Sequence, residues 1–108
     1  MVGPEIHAHY IFDRLVRHAK LTGKDPNFET LFSQLESFYF MNNLSLNKKP
    51  DGPNWIIECF HEIGPAFSEF SYNIIKRTCE WTGKYEIYNK EILNHNLIIF
   101  LRKKTKTM

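Results

Sequence analysis

Between Pro4 and Leu21 the apolar positions recur with a helical period. At about 100° per residue, Ala8, Ile11, Phe12, Leu15, Val16 and Ala19 fall within one arc of roughly 140°, the width of a core-facing stripe. The spacing predicts a helix over Pro4–Leu21, with Pro4 in its first turn and Thr22-Gly23 ending it. A second stripe of Phe28, Leu31, Phe32, Leu35, Phe38 and Tyr39 follows Asp25, read as the N-cap, and Pro26, read as the first helical residue. Phe40 and Met41 depart from that stripe. They either meet a second layer or lie exposed, and Asn42-Asn43 closes the element.

Residues 42–54 read as the longest loop, because Lys48-Lys49-Pro50-Asp51-Gly52-Pro53 is turn chemistry, with room for a short extended piece at Leu44–Leu46. The run WIIECF within Trp55–Ile63 fits either a buried strand or a helix. On a helix Glu58, His61 and Glu62 fall together as one polar wedge, and the helix is the preferred reading. Gly64-Pro65 breaks the run, and a further helix is expected over Pro65–Thr82, ended by Gly83. Its stripe of Phe67, Phe70, Ile74 and Trp81 is joined by a second one of Tyr72, Ile75 and Cys79, as in a helix with neighbours on two sides. The period then changes. Tyr85–Tyr88 alternates, Asn94-His95-Asn96 signals a turn, and Leu97–Leu101 is a continuous apolar run of strand length, buried on both faces if it is a strand.

These elements predict an α+β domain: about four α-helices followed by a C-terminal antiparallel β-hairpin packed on them. The 108 residues make one compact domain by size, with a basic tail from about Arg102. Apolar residues are plentiful and charge is moderate, which argues against disorder. Phenylalanine and tyrosine are in excess, as suits an aromatic core or an aromatic binding face. The two cysteines, Cys59 and Cys79, form no CxxC pair and read as buried reduced thiols. No signal-peptide pattern and no run of membrane-spanning length occurs, so a soluble cytoplasmic protein is expected, in the host cell if the source is viral. The weight on Asn, Lys, Ile and Phe hints at an AT-rich bacterial, viral or mobile-element genome.

Three histidines, His7, His9 and His18, stand in the first helix. His7 and His18 share a direction but are about 16 Å apart along the axis, and His9 points away from both, so no common metal site is expected. Glu58-x-x-His61 has the spacing of one half of a carboxylate-bridged metal site, which requires it twice. On a helix Cys59 and His61 diverge too far for a thiolate–imidazole pair. No nucleophile elbow, phosphate loop or metal-loop motif occurs. Neither a metal nor a cofactor is expected.

The net charge of +2 does not by itself imply nucleic acid. Two helices followed by a hairpin and the tail Arg102, Lys103, Lys104 and Lys106 would suit a winged helix–turn–helix, with Lys76 and Arg77 of the second helix on the DNA. Glu69 and Glu80 on the same side oppose that reading. The preferred expectation is a small non-enzymatic interaction protein that binds and inhibits or adapts a larger macromolecule, of the phage-inhibitor, immunity-protein or antitoxin type. A protein partner is foremost, with a homodimer admitted; Phe40, Met41, Lys76, Arg77 and the basic tail are its candidate contacts. A DNA-binding regulator and a small-molecule or haem sensor are the alternatives.

Overall fold

The computed structural model describes residues 4–104, with side chains from Ala8 onward. The described residues form three helices and one antiparallel sheet. These are α1 (Pro4–Leu21), α2 (Phe28–Met41), β1 (Ser45–Asp51), β2 (Asn54–Phe60), α3 (Pro65–Thr82), β3 (Tyr85–Ile92) and β4 (Asn96–Lys103). The sheet order is β1-β2-β4-β3, so two sequential hairpins are joined through β2 and β4. The α+β class holds and the C-terminal hairpin is present, but it is half of a larger sheet and the helix count is lower than expected.

Two segments correct the reading from sequence. Trp55–Ile63 is not a helix, because residues 54–60 are strand β2. Its helix-like polar wedge dissolves once alternate residues face opposite sides. Ile57 and Cys59 face the helices and are fully buried, whereas Glu58 lies on the other side. Residues 45–51 are not loop but an edge strand, disguised by polar residues. Edge strands are commonly guarded by lysine and proline, and β1 carries Lys48, Lys49 and Pro50. The turn chemistry is real only at Asp51–Asn54. There Gly52 takes φ +60° and Pro53 follows, the pattern of a two-residue hairpin turn.

α2 starts later than Asp25-Pro26 suggested. Asn27 is the N-cap, and its side-chain oxygen accepts the Thr30 N–H at 2.9 Å. At the start of α3, Gly64 adopts φ 128°, ψ 178°, a conformation essentially reserved for glycine, before Pro65 opens the helix. A Cβ at Gly64 would meet no atom within 4 Å. Gly64→Ala is therefore expected to cost about 1–3 kcal/mol from backbone strain alone. Chemical denaturation checks this, and a loss within about 0.5 kcal/mol would mean that the junction relaxes freely.

Helices cover one face of the sheet. α2 packs on β1, α3 on β3 and β4, and α1 on α3 and α2. Ile57, Cys59, Leu97, Ile99 and Leu101 from the two central strands meet Leu31, Phe32, Leu35 and Tyr39 of α2 and Ile74 and Ile75 of α3. All of these are within 2% of complete burial. The other face is open. Ile56, Ile98 and Phe100 are only half-buried there, beside exposed Phe60 and Tyr88, so the apolar run of β4 is covered on one side rather than two.

Lys48 closes the β1 edge of the core. Its ammonium stands 4.6 Å from the Trp55 ring centroid, 5.5 Å from that of Phe32 and 5.6 Å from that of Phe28. Lys48→Gln keeps most of the stem and removes the cation. It is expected to lose about 1–2 kcal/mol in denaturant unfolding, and an unchanged midpoint would show that the rings gain nothing from the charge.

Candidate functional site

α2 aims one face at the sheet, and the residues that leave that face are held outward by a firm helix end. Leu44 N–H donates to Tyr39 O at 2.9 Å, and the Asn42 side chain donates to Phe38 O at 2.8 Å. Asn43 takes the left-handed conformation at φ 59°. Phe40 and Met41, one turn back, are each 81% exposed. Phe60, Ile63 and Leu93 are exposed at the same end of the domain, where the α2–β1, β2–α3 and β3–β4 connections converge. A shallow cleft of about 950 Å³ opens there between Asn42, Leu44, Phe60, His61, Ile63 and His95.

The imidazole at the base of this cleft is structural by its bonding. His61 is buried, and its Nδ1 accepts the Ile63 N–H at 3.3 Å. The proton is therefore on Nε2, which donates to Ser68 Oγ at 2.7 Å, and Ser68 Oγ in turn donates to the Leu93 carbonyl. Activating a serine requires the opposite direction, with the imidazole accepting the hydroxyl proton. Burial, reinforced by neighbouring His95, pushes the His61 pKa below its ordinary value. The folded state thus resists a proton that the unfolded state accepts below about pH 6.5. Stability conferred by neutral His61 is present above that pH and is lost as pH falls toward the lower folded-state pKa. Denaturation midpoints at several pH values check this, and His61→Gln is expected to flatten the dependence in that window.

The other candidate chemistry is dispersed. Glu58 lies on the open sheet face, 3.0 Å from Lys49, away from buried His61. Cys59 faces inward, its Sγ 3.8 Å from Ser71 Oγ, and burial pushes its pKa up to about 11; Cys79 is pushed up to about 12. Both thiols are free, buried and protonated at neutral pH. His9 lines a small cleft against α3 and His18 lines the groove between α1 and α2, so those two do not share a site. The side chain of His7 lies outside the described residues. Among the described residues no three His, Cys, Asp or Glu groups are placed to hold a metal ion, and no helix is long and apolar enough to cross a membrane.

The basic candidates do not join Phe40 and Met41. Lys76 is exposed on α3, but Arg77 is spent on helix packing, its guanidinium 5.6 Å from the Phe12 ring centroid. Arg102 lies on the open sheet face, 2.7 Å from Glu86. Lys103 and Lys104 are exposed beside it, and Lys104 N–H donates to Lys84 O at 2.9 Å. Lys84 pairs with Glu29 in the first turn of α2, so this cluster marks the far end of that helix, about 18 Å along its axis from Met41. Lys106 lies outside the described residues. The helix pair required by a winged helix–turn–helix is absent, because one of its members is strand β2.

Two surfaces went unread in the sequence. One is the open sheet face, where Glu58, Glu86 and Glu91 outnumber Lys49 and Arg102; that balance does not suit a polyanion. The other is the groove of about 820 Å³ between α1 and α2, lined by Leu15, His18, Lys24, Gln34, Phe38 and Met41 among others. Both Oε1 and Nε2 of Gln34 are buried without a hydrogen-bond partner. The only signal for this groove was that Met41 leaves the α2 stripe. Compared with family models, curated proteins and solved structures, the chain matches none.

Proposed function

We propose that this protein is a small non-enzymatic interaction domain. It binds a larger protein partner through the outer face of α2 and the adjoining loop end, and so inhibits or adapts that partner in the manner of immunity proteins or antitoxins. The observation that carries the reading is the pair Phe40 and Met41, 81% exposed on a firmly capped turn and accompanied by exposed Phe60, Ile63 and Leu93 at one end of the domain. Folded domains seldom hold two adjacent large apolar side chains this far out on a firmly capped helix end unless something docks there. Aromatic side chains and methionine are also enriched where partners meet. Glu36 and Glu62 border this end, which favours a protein over a phosphate backbone. The buried free thiols suit a reducing compartment such as the cytoplasm.

The test pairs Phe40→Ser/Met41→Ser with a control at the other end, Lys103→Ser/Lys104→Ser. Neither double variant should shift unfolding by more than about 0.5 kcal/mol, because all four side chains are exposed. A partner recovered from the native host and then purified should lose at least about 30-fold in affinity for the apolar variant and little for the control. Undiminished binding by Phe40→Ser/Met41→Ser overturns the reading. Loss confined to the control, with a salt-dependence slope falling by about one per charge removed, would point to nucleic acid instead.

A further inference from the structure

The α1–α2 groove contains a chemical mismatch. Buried polar groups in folded proteins are nearly always hydrogen-bonded, and each exception needs a cause. Among the described residues, Gln34 is the side chain whose donor and acceptor are both buried and both unpartnered. A primary amide offers an N–H donor and a C=O acceptor side by side, which is the complement of a peptide group.

We infer that the α1–α2 groove takes an extended peptide segment of the partner protein. The Gln34 amide turns to pair with its backbone, and Phe38 and Met41 receive its apolar side chains. This rests on the reading of the outer face of α2 as the contact surface. The groove-lining residues of α2 run from Glu29 and Thr30 through Ser33, Gln34 and Ser37 to Met41. That path is about 18 Å long at 1.5 Å per helical residue, room for about five or six extended residues.

Two points favour an extended segment over a docked helix, and a third sets its direction. The backbone groups within a helix are already paired, so a helix leaves Gln34 as it found it. The α2 wall carries the hydroxyls of Thr30, Ser33 and Ser37, which suit a backbone with free N–H and C=O groups better than a continuous apolar stripe. The groove also has a charge direction. His18 and Lys24 line the end near the α1–α2 turn, and none of the ion pairs among the described residues involves Lys24, whereas Glu29 is held by Lys84. The matching segment therefore carries a carboxylate toward that end and apolar residues toward Met41.

The probe is a random-peptide phage library panned against the full-length protein, followed by synthesis of the selected peptides. Binding to the ¹⁵N-labelled protein is followed through the Gln34 side-chain NH₂ signals, assigned by their loss in Gln34→Leu. The expected peptides combine apolar residues with an acidic one, bind in extended form and shift those signals. They should lose at least about tenfold in affinity for Gln34→Leu, a variant that itself unfolds at higher denaturant because the unpaired amide is gone. Peptides that bind as helices, that leave the Gln34 signals unmoved, or that bind Gln34→Leu equally well overturn the inference, as does failure to select any peptide for the groove. Concentration-dependent dimerisation that shifts Gln34 without peptide would assign the groove to a second copy and overturn it too. Loss of the native partner by Phe40→Ser/Met41→Ser but not by Gln34→Leu would sink this inference alone. Loss by neither would sink the interaction reading beneath it.

Discussion

Phe32→Ala is expected to destabilise the protein by about 3–5 kcal/mol in chemical denaturation. Phe32 is 2% exposed at the centre of the α2 stripe, and its ring stacks on Phe28 with centroids 5.7 Å apart. Truncation removes the ring and leaves a cavity between α2 and β1. It also takes away one of the three aromatic faces beneath the Lys48 ammonium. A measured loss under about 1 kcal/mol would mean that the buried side of α2 has been assigned wrongly, since a fully enclosed phenyl ring cannot be removed so cheaply. The same helix then divides cleanly: replacements at Phe28, Leu31, Phe32 and Leu35 are expected to act on stability, and replacements at exposed Phe40 and Met41 to leave it nearly unchanged.

Tyr39→Ala is expected to be comparably severe, at about 3–5 kcal/mol, with a polar contribution that Phe32 lacks. Tyr39 is fully buried against the Phe67 ring, and its hydroxyl is 2.6 Å from Ser71 Oγ, which also contacts Cys59 Sγ. Burial holds the Tyr39 hydroxyl well above the usual phenol range, so it stays a neutral hydrogen-bonding group. Tyr39→Phe keeps the ring and leaves the Ser71 hydroxyl short of a partner, at a cost of about 1–3 kcal/mol. Ser71→Ala on its own should cost a similar amount. The double variant Tyr39→Phe/Ser71→Ala should cost less than the sum of the singles, because both orphaned groups are then gone. Strict additivity in denaturant titrations would mean that the two hydroxyls do not share a bond.

Elements with a helical stripe on one side were legible in the sequence. α1 and α3 match the expected ranges Pro4–Leu21 and Pro65–Thr82, because their stripes and bounding glycines and prolines all point the same way. β1 was hidden because an edge strand with one buried apolar residue, Leu46, has no alternation to detect. β2 was hidden for the opposite reason. Its outward Ile56 and Phe60 are apolar as well, so period two is masked and a helical wedge can be drawn through Glu58, His61 and Glu62. Phe40 and Met41 were legible as exceptions to a stripe, and exposure is where the structure puts them. The Gln34 groove and the bonding of His61 were not legible, because each depends on residues far apart in the chain. Ser68 and Leu93, which carry the hydrogen-bond chain on from His61 Nε2, lie on α3 and in the β3–β4 connection.

The order of the sheet has a consequence for how the chain is made. β4, the last of the seven elements to leave a ribosome, fills the position between β2 and β3. Until residues 96–103 emerge, the β1–β2 hairpin and β3 have nothing to join them, and the undersides of α2 and α3 lack Leu97, Ile99 and Leu101. Synthesis therefore proceeds with the core unfinished, and the two hairpins are joined only by the long-range pairing of β4 with β2. Such late, long-range pairing is slow compared with helix formation. A chain truncated ahead of this strand would leave the apolar undersides of α2 and α3 exposed, a target for quality-control proteases.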